Sequence, residues 1–229
     1  MSRIAEIGSQ VLARAERRVE VSAENIANAT KPGFQRRIAF DLPLGEPAAA
    51  NRSLGLDFKP GALVETGRPL DLALGGAGFF VLQGPDGPIY TRQGAFRREA
   101  DGRVVDAYAR PLQVQGGGDL TVENDAVEIL PDGTVLEAGA PVARIEVVAF
   151  ADPSALRLAA DGLSAAPEAE ARRVDRPALR QGAYEASNVS TGDEMVAIME
   201  ALRRAESGQR LINVYDDLMG RALSAFGQA

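Results

Sequence analysis

The feature that most constrains this chain is a stripe at its C-terminal end. Stepping by three and four from Met195 gives Ile198, Leu202, Ala205, Gln209, Ile212, Asp216, Met219, Leu223 and Phe226, of which only Gln209 and Asp216 are polar. A repeat of that period predicts a long amphipathic helix with a coiled-coil-like seam. From Gly192 to Phe226 it would extend about 52 Å. Thr191 and Glu194 are spaced as a capping box at its start. Asp193, Glu194 and Glu200 precede Arg203, Arg204, Arg210 and Arg221, the order that suits the helix dipole. A small domain cannot cover such a stripe along its length, so the helix needs a partner of comparable reach.

That partner is legible at the opposite end. Ile4, Ile7, Val11, Ala15, Val19, Ala23 and Ile26 recur every three or four residues, which predicts a helix over roughly 3–29. It runs into "SAENIANATKPGF", where Pro32 disfavours the α region for Lys31 and Gly33 admits left-handed geometry. Asn25, Asn28, Pro32, Gly33 and Phe34 are therefore expected to end the helix and turn the chain into an extended arm, "FQRRIAFDL", anchored by Phe34. Residues 1–40 carry seven basic and four acidic side chains, although the whole chain has a net charge of -7. This local excess suits contact with acidic neighbouring surfaces.

Between the two helical patterns the period changes. From about Leu63 to Arg180 the chain shows short alternating or apolar runs such as "LDLALG", "GFFVLQ" and "VARIEVVAF", broken by Gly, Pro and Asp-Gly. "EADGRVVD" and "LPDGTVLE" repeat one hairpin-like pattern 31 residues apart, from Asp101-Gly102 to Asp132-Gly133. The expected fold is α+β, with paired N- and C-terminal helices and a central all-β domain. Its segments are 1–66 (helix and arm), 67–180 (β domain) and 181–229 (returning helix). The seam side chains are Ile4, Ile7, Val11, Val19 and Ile26 on the first helix. On the second they are Met195, Ile198, Leu202, Ile212, Met219, Leu223 and Phe226.

Burying eight such side chains could contribute on the order of 10–20 kcal/mol as an upper bound, and one helix pair offers too few faces to cover both stripes. Further copies of the chain would supply the missing contacts. Gly208 in mid-helix costs roughly 1 kcal/mol relative to alanine, so it marks either a bend or the close approach of another backbone.

Candidate chemistry is sparse. The chain has no cysteine and no histidine, which removes thiolate chemistry, the commonest general base and the commonest metal ligand. An acidic chain is a poor nucleic-acid partner. "GGAGFF" lacks the third glycine of a dinucleotide cradle and opens a strand, so its glycines read as a tight turn before Phe79 and Phe80 enter the core. Asp119, Glu123, Asp125 and Glu128 match neither a glycosidase pair nor a calcium loop. No catalytic, cofactor-binding or metal-binding residue is assigned, and neither a nucleic acid nor a small-molecule substrate is expected. The first residues contain no apolar signal-peptide core, and no window approaches a membrane span. An enzyme would need the scattered carboxylates to converge on a pocket. A secreted binding module would be monomeric with ordered helices.

Three blocks carry a family resemblance. "SAENIANATKPGFQR" resembles the N-terminal signature of bacterial flagellar rod and hook proteins. "TGRPLDLALGGAGFFVL" with "YTRQGAFRREADGRVVD" is similar to the next block of that family, and "LRQGAYEASNVSTGDEMVAIMEA" to its C-terminal block. The length, the short β region and "GAYEASNV" are most similar to the proximal rod type, with the distal rod type as runner-up. The resemblance implies a structural subunit, not an enzyme, whose terminal helices pair and pack with neighbours into the axial drive shaft of the basal body. It implies other rod subunits, the chain itself and the flagellar type III export apparatus as partners. It also implies a place in the periplasm-spanning rod, reached without a cleaved signal peptide.

Overall fold

A computed structural model describes residues 3–40, 54–124, 126–153, 156–159, 162–165 and 170–226. They fall into two compact units, one comprising Met1–Ala29, Arg36–Asp57 and Val189–Ala229, the other Thr30–Gln35 and Phe58–Asn188. The coarse α+β expectation holds, with one helix at each end and strands between.

The first unit contains helix α1 (Arg3–Ala27), the short strands β1 (Arg37–Ala39) and β2 (Leu54–Leu56), and helix α2 (Thr191–Phe226). Helix α1 stops two residues before the expected limit. The Asn28 backbone N–H and side-chain Nδ2 both donate to the Glu24 carbonyl, at 3.1 and 2.7 Å, satisfying a terminal acceptor as the helix ends. Of the expected arm, Arg37–Ala39 forms β1, which pairs antiparallel with β2, while Asp41 and Leu42 lie outside the described residues. No described helix is long and apolar enough to cross a membrane.

The start of α2 differs from the expected capping box by one residue. The cap is Ser190, whose Oγ accepts from Asp193 N at 3.4 Å and whose carbonyl accepts from Glu194 N at 3.0 Å. Glu194 does not reach back to the cap. Its side chain is almost fully buried and engaged elsewhere, which is why the reciprocal Thr191–Glu194 box does not form.

The second unit holds β3 (Leu63–Glu65), β4 (Leu72–Leu74), β5 (Phe79–Gly84), β6 (Gly87–Thr91), β7 (Arg97–Arg98), β8 (Val104–Val105), β9 (Val127–Ile129), β10 (Thr134–Glu137), β11 (Ala140–Arg144), β12 (Val147–Phe150), β13 (Leu156–Ala159), β14 (Gly162–Ala165), β15 (Ala171–Arg173), β16 (Leu179–Gln181) and β17 (Ala183–Glu185). A six-stranded sheet is ordered β13-β14-β6-β5-β12-β15, and a three-stranded sheet β11-β10-β9. The pairs β16-β4, β17-β3 and β7-β8 complete it. Leu72, Phe80, Leu82, Leu112, Leu120, Ile145 and Val147 form its core, with Phe80 edge-on to Phe96 at 5.4 Å.

Both Asp-Gly hairpins are present. The first joins β7 to β8 and the second joins β9 to β10. Gly102 and Gly133 adopt φ of 90° and 92°, and the Asp101 and Asp132 carboxylates accept from the backbone N–H two residues on, at 3.1 and 3.0 Å. Those bonds hold both carboxyls below the ordinary aspartate range, with Arg103 adding to the effect at Asp101.

Candidate assembly surface

The two terminal helices meet through small residues. Gly8, Ala15 and Ser22 are buried at intervals of seven along α1, and Glu194, Ala201 and Gly208 at intervals of seven along α2. At one end a methyl group on Gly208 would lie 3.2 Å from both the Gly8 carbonyl and Val11 Cγ1, while one on Gly8 would lie 2.7 Å from Ile212 Cγ1. At the other end Asn25 Nδ2 donates to Glu194 Oε1 at 3.2 Å. The two rows therefore run antiparallel, and Gly208 marks close approach of the two helices.

Small residues in the seam push the large ones outward. Met195 is 54% exposed, Leu202 51% and Met219 43%, so these three expected seam residues lie off the α1-facing side. Ile198 and Ile212 are half-buried, with Ile212 against Gly8. On α1, Val11, Val19 and Ile26 are half-buried and Ile7 is exposed. The side chains of Ile4, Leu223 and Phe226 lie outside the described residues. Met199, Val196, Leu211, Val214 and Leu218 join the exposed apolar set of α2. A search for large apolar side chains at 3.5-residue spacing finds the flanks of this crossing. The seven-residue spacing of Gly8, Ala15 and Ser22 was the signal for its centre.

The turn after α1 is built on hydrogen bonds. Asn25, fully buried, pairs with the backbone of Arg37 as a strand would: Nδ2 donates to the Arg37 carbonyl at 2.9 Å and Oδ1 accepts from Arg37 N at 2.8 Å. Arg36 Nε donates to the same Glu194 oxygen at 2.5 Å, and Arg37 forms an ion pair with Glu24. One buried carboxylate thus ties the end of α1, the arm and the start of α2. Periodicity offered no hint of it.

Within the second unit, Pro32, Gly33 and Phe34 form a strap. Gly33 has φ of 62°, its N–H donates to the Glu185 carbonyl at 2.6 Å, and a Cβ there would lie 2.5 Å from the Arg92 carbonyl carbon. Both reasons, conformation and space, demand glycine. Phe34 is half-buried and the adjacent Gln35 is the buried side chain. The Phe34 carbonyl nonetheless holds the exit segment by accepting from Asn188 N at 3.3 Å.

Beneath the strap lies a buried ion pair that no local pattern singles out. Arg92 Nε donates to Glu185 Oε2 at 2.7 Å, both side chains being at least nine-tenths buried. Its remaining donors reach the carbonyls of Gly78 (2.9 Å) and Gly76 (3.1 Å), and Gly61 N donates to Glu185 Oε1 at 2.9 Å. The pair is fully hydrogen-bonded, the condition under which a buried charge pair is tolerated. The "GGAG" turn does lead Phe79 and Phe80 into the core, and it also supplies acceptors to Arg92. Arg92 and Glu185 are 93 residues apart, beyond any local pattern.

Glu123 and Glu128 are exposed and Asp119 accepts from Gln113 Nε2 at 2.8 Å, while Asp125 lies outside the described residues. Among the described residues no group of three acidic side chains is placed to hold a metal ion.

Known proteins match this sequence over most of its length. The sequence profile of the flagellar hook protein FlgE/F/G D1 domain matches residues 73–137, and that of the flagellar basal body rod FlgEFG protein C-terminal region matches residues 180–225. The chain is 30% identical over 231 residues to the flagellar basal-body rod protein FlgF of Caulobacter vibrioides, covering 93% of each. It is 33% identical over 226 residues to FlgF of Salmonella typhimurium, covering 88% of this chain and 89% of the relative. Flagellar basal-body rod protein FlgG of Bacillus subtilis is 27% identical over 239 residues, with 88% and 90% covered.

Proposed function

Because the chain belongs to the family of flagellar basal-body rod proteins, we propose that it is a structural subunit of the proximal rod and assembles through its terminal helices. It is not an enzyme. The observation that carries the assembly reading is the outward apolar side of α2, where Met195, Met199 and Leu202 are each more than half exposed on a well-formed helix. Isolated exposed leucines are ordinary, but a row of large apolar residues marks a contact surface.

In this reading residues 1–66 supply the inner helix and arm, 67–180 the β domain and 181–229 the returning helix. The helices pair in coiled-coil fashion, and the proposed seam and turn residues serve contacts with neighbours. The partners are other rod subunits and further copies of the chain, and the subunit passes through the type III export apparatus. It then forms part of the periplasm-spanning drive shaft that transmits torque. The distal rod type is the second reading, favoured by similarity to FlgG proteins at lower identity.

Two measurements test this: detection of the chain in purified basal bodies, and electron microscopy of basal bodies from a strain lacking it. The expected result is a rod that stops below its distal part, with loss of swimming. A motile deletion strain with complete rods would refute the proposal.

A further inference from the structure

Helix α2 carries two different surfaces on opposite sides of the same turns. On one side a groove of about 170 Å³ runs between the helices, lined by Val11, Arg14, Ala15 and Arg18 from α1 and by Ala197, Glu200, Ala201 and Arg204 from α2. Its floor is made of alanines and its rim carries three arginines against one glutamate, a net positive site in a chain of net charge -7. On the other side stand Met195, Met199 and Leu202. Residues two apart on a helix point about 200° away from each other. The pairs Met195 and Ala197, Met199 and Ala201, and Leu202 and Arg204 therefore place ridge and groove back to back.

We infer that the groove of one copy receives the Met195–Met199–Leu202 ridge of a second copy, so that identical chains join groove to ridge in an open or cyclic series. The inference deepens the rod-subunit reading and rests on it. Three features match the ridge to the groove. An alanine floor leaves space for long side chains, and methionine, unbranched and flexible, fills such irregular gaps. The volume exceeds what a bound water or two would occupy. Glu206 continues the ridge one turn beyond Leu202, about 6 Å along the axis, and brings a carboxylate to the arginine rim. A groove-to-ridge contact is heterologous, because each copy keeps one unused groove or ridge. It propagates, whereas a self-complementary contact would stop at a dimer.

The chain contains no cysteine, so introduced cysteines report contacts cleanly. The single variants Arg14→Cys (groove) and Met199→Cys (ridge) are mixed under mild oxidation, and the double variant is oxidised alone. The expected result is a disulfide-linked pair that forms only on mixing, and a ladder of multimers from the double variant. Adding Glu206→Arg to the ridge variant should lower the cross-linked fraction several-fold and make the remainder rise with salt, as screening weakens the new repulsion. Met199→Cys linking to itself as readily as to Arg14→Cys would overturn the inference, and so would the absence of any cross-link. Basal bodies separate this from the broader reading. If the chain is found in them but Arg14 and Met199 do not cross-link, the contact is wrong and the rod assignment stands.

Discussion

The β unit and the helix pair bury different things. The β unit closes around Phe80, Leu72, Leu82 and Ile145, all nearly inaccessible. The helix pair closes around Gly8, Ala15, Ala201 and Gly208 and leaves Met195, Met199, Leu202, Val214 and Leu218 of α2 exposed. Large side chains inside mean that the β unit has most of its hydrophobic stabilisation within one copy. Small ones inside mean that the helix pair gains less from its own seam and leaves apolar area of α2 exposed, the area the proposed assembly would use. The comparison predicts that substitutions in the first region lower the stability of the monomer, while those on the second lower assembly.

The largest expected effect is at the strap. Gly33→Val forces a branched residue into φ of 62° and drives its Cβ into the Arg92 backbone. The conformational strain alone is roughly 1–3 kcal/mol, and the overlap adds to it. Gly33→Ala should fail for the same spatial reason. Gly67→Ala is the control, since Gly67 also has positive φ, 70°, but has nothing within 4 Å of the added methyl. It should cost about 1–2 kcal/mol. Urea denaturation of the three variants, with immunoblotting of purified basal bodies, makes the measurement. Stability of Gly33→Ala equal to that of Gly67→Ala would remove the strap from the account.

Next comes the buried pair. Arg92→Met leaves Glu185 charged and nine-tenths buried, which should cost about 3–5 kcal/mol. Replacing both, Arg92→Met with Glu185→Met, should recover part of that loss because no unpaired charge remains, although the carbonyls of Gly76 and Gly78 lose their donor. Chemical denaturation of the single and double variants decides it. A double variant no more stable than the single would show that the hydrogen bonds, and not the charge pairing, matter at this site.

The third prediction sets the two sides of α2 against each other. Ile212→Asp puts a charge beside Gly8 in the helix crossing and should lower the helicity of the isolated chain as well as abolish motility. Leu202→Asp alters a side chain already half exposed and should change monomer stability by less than about 0.5 kcal/mol, yet it should still abolish swimming. Circular dichroism with soft-agar motility separates them. Normal swimming by the Leu202→Asp strain would mean that the exposed row on α2 has no partner.

These contrasts also explain what the sequence revealed. Both helices, the β region and the two Asp-Gly hairpins were legible, because each is written in a local period or in residues that demand one backbone geometry. The helix crossing was legible only at its flanks. Ile212 packs against Gly8 while Met195 and Leu202 are more than half exposed, because close helix approach selects glycine, alanine and serine, which a search for bulk passes over. The spacing of Thr191 and Glu194 suits a capping box. The true partners of Glu194, Asn25 and Arg36, are more than 150 residues away. The Arg92–Glu185 pair was invisible for the same reason: long-range charge pairing leaves no periodic trace.

The smallest effect concerns acid. Asp101 and Asp132 sit in equivalent turns of the two β hairpins, and in both the backbone N–H two residues on is the main cause of a lowered carboxyl pKa. A carboxyl whose pKa is lower in the folded chain than in the unfolded chain stabilises the fold above the unfolded value. That contribution disappears as pH falls through the folded value. Both side chains face solvent, so the loss should be slight and should fall at the acid end, well below neutral pH. Carboxyl-carbon titration by nuclear magnetic resonance should find both residues titrating at lower pH in the folded chain than in the urea-unfolded chain. The corresponding variants sharpen the test. Asp132→Asn keeps an oxygen to accept from Thr134 N, so it should preserve the turn while removing its pH response. Asp132→Ala should lose both. If Asp132→Asn destabilises the hairpin as much as Asp132→Ala, the negative charge, rather than the hydrogen bond to the backbone, holds the turn.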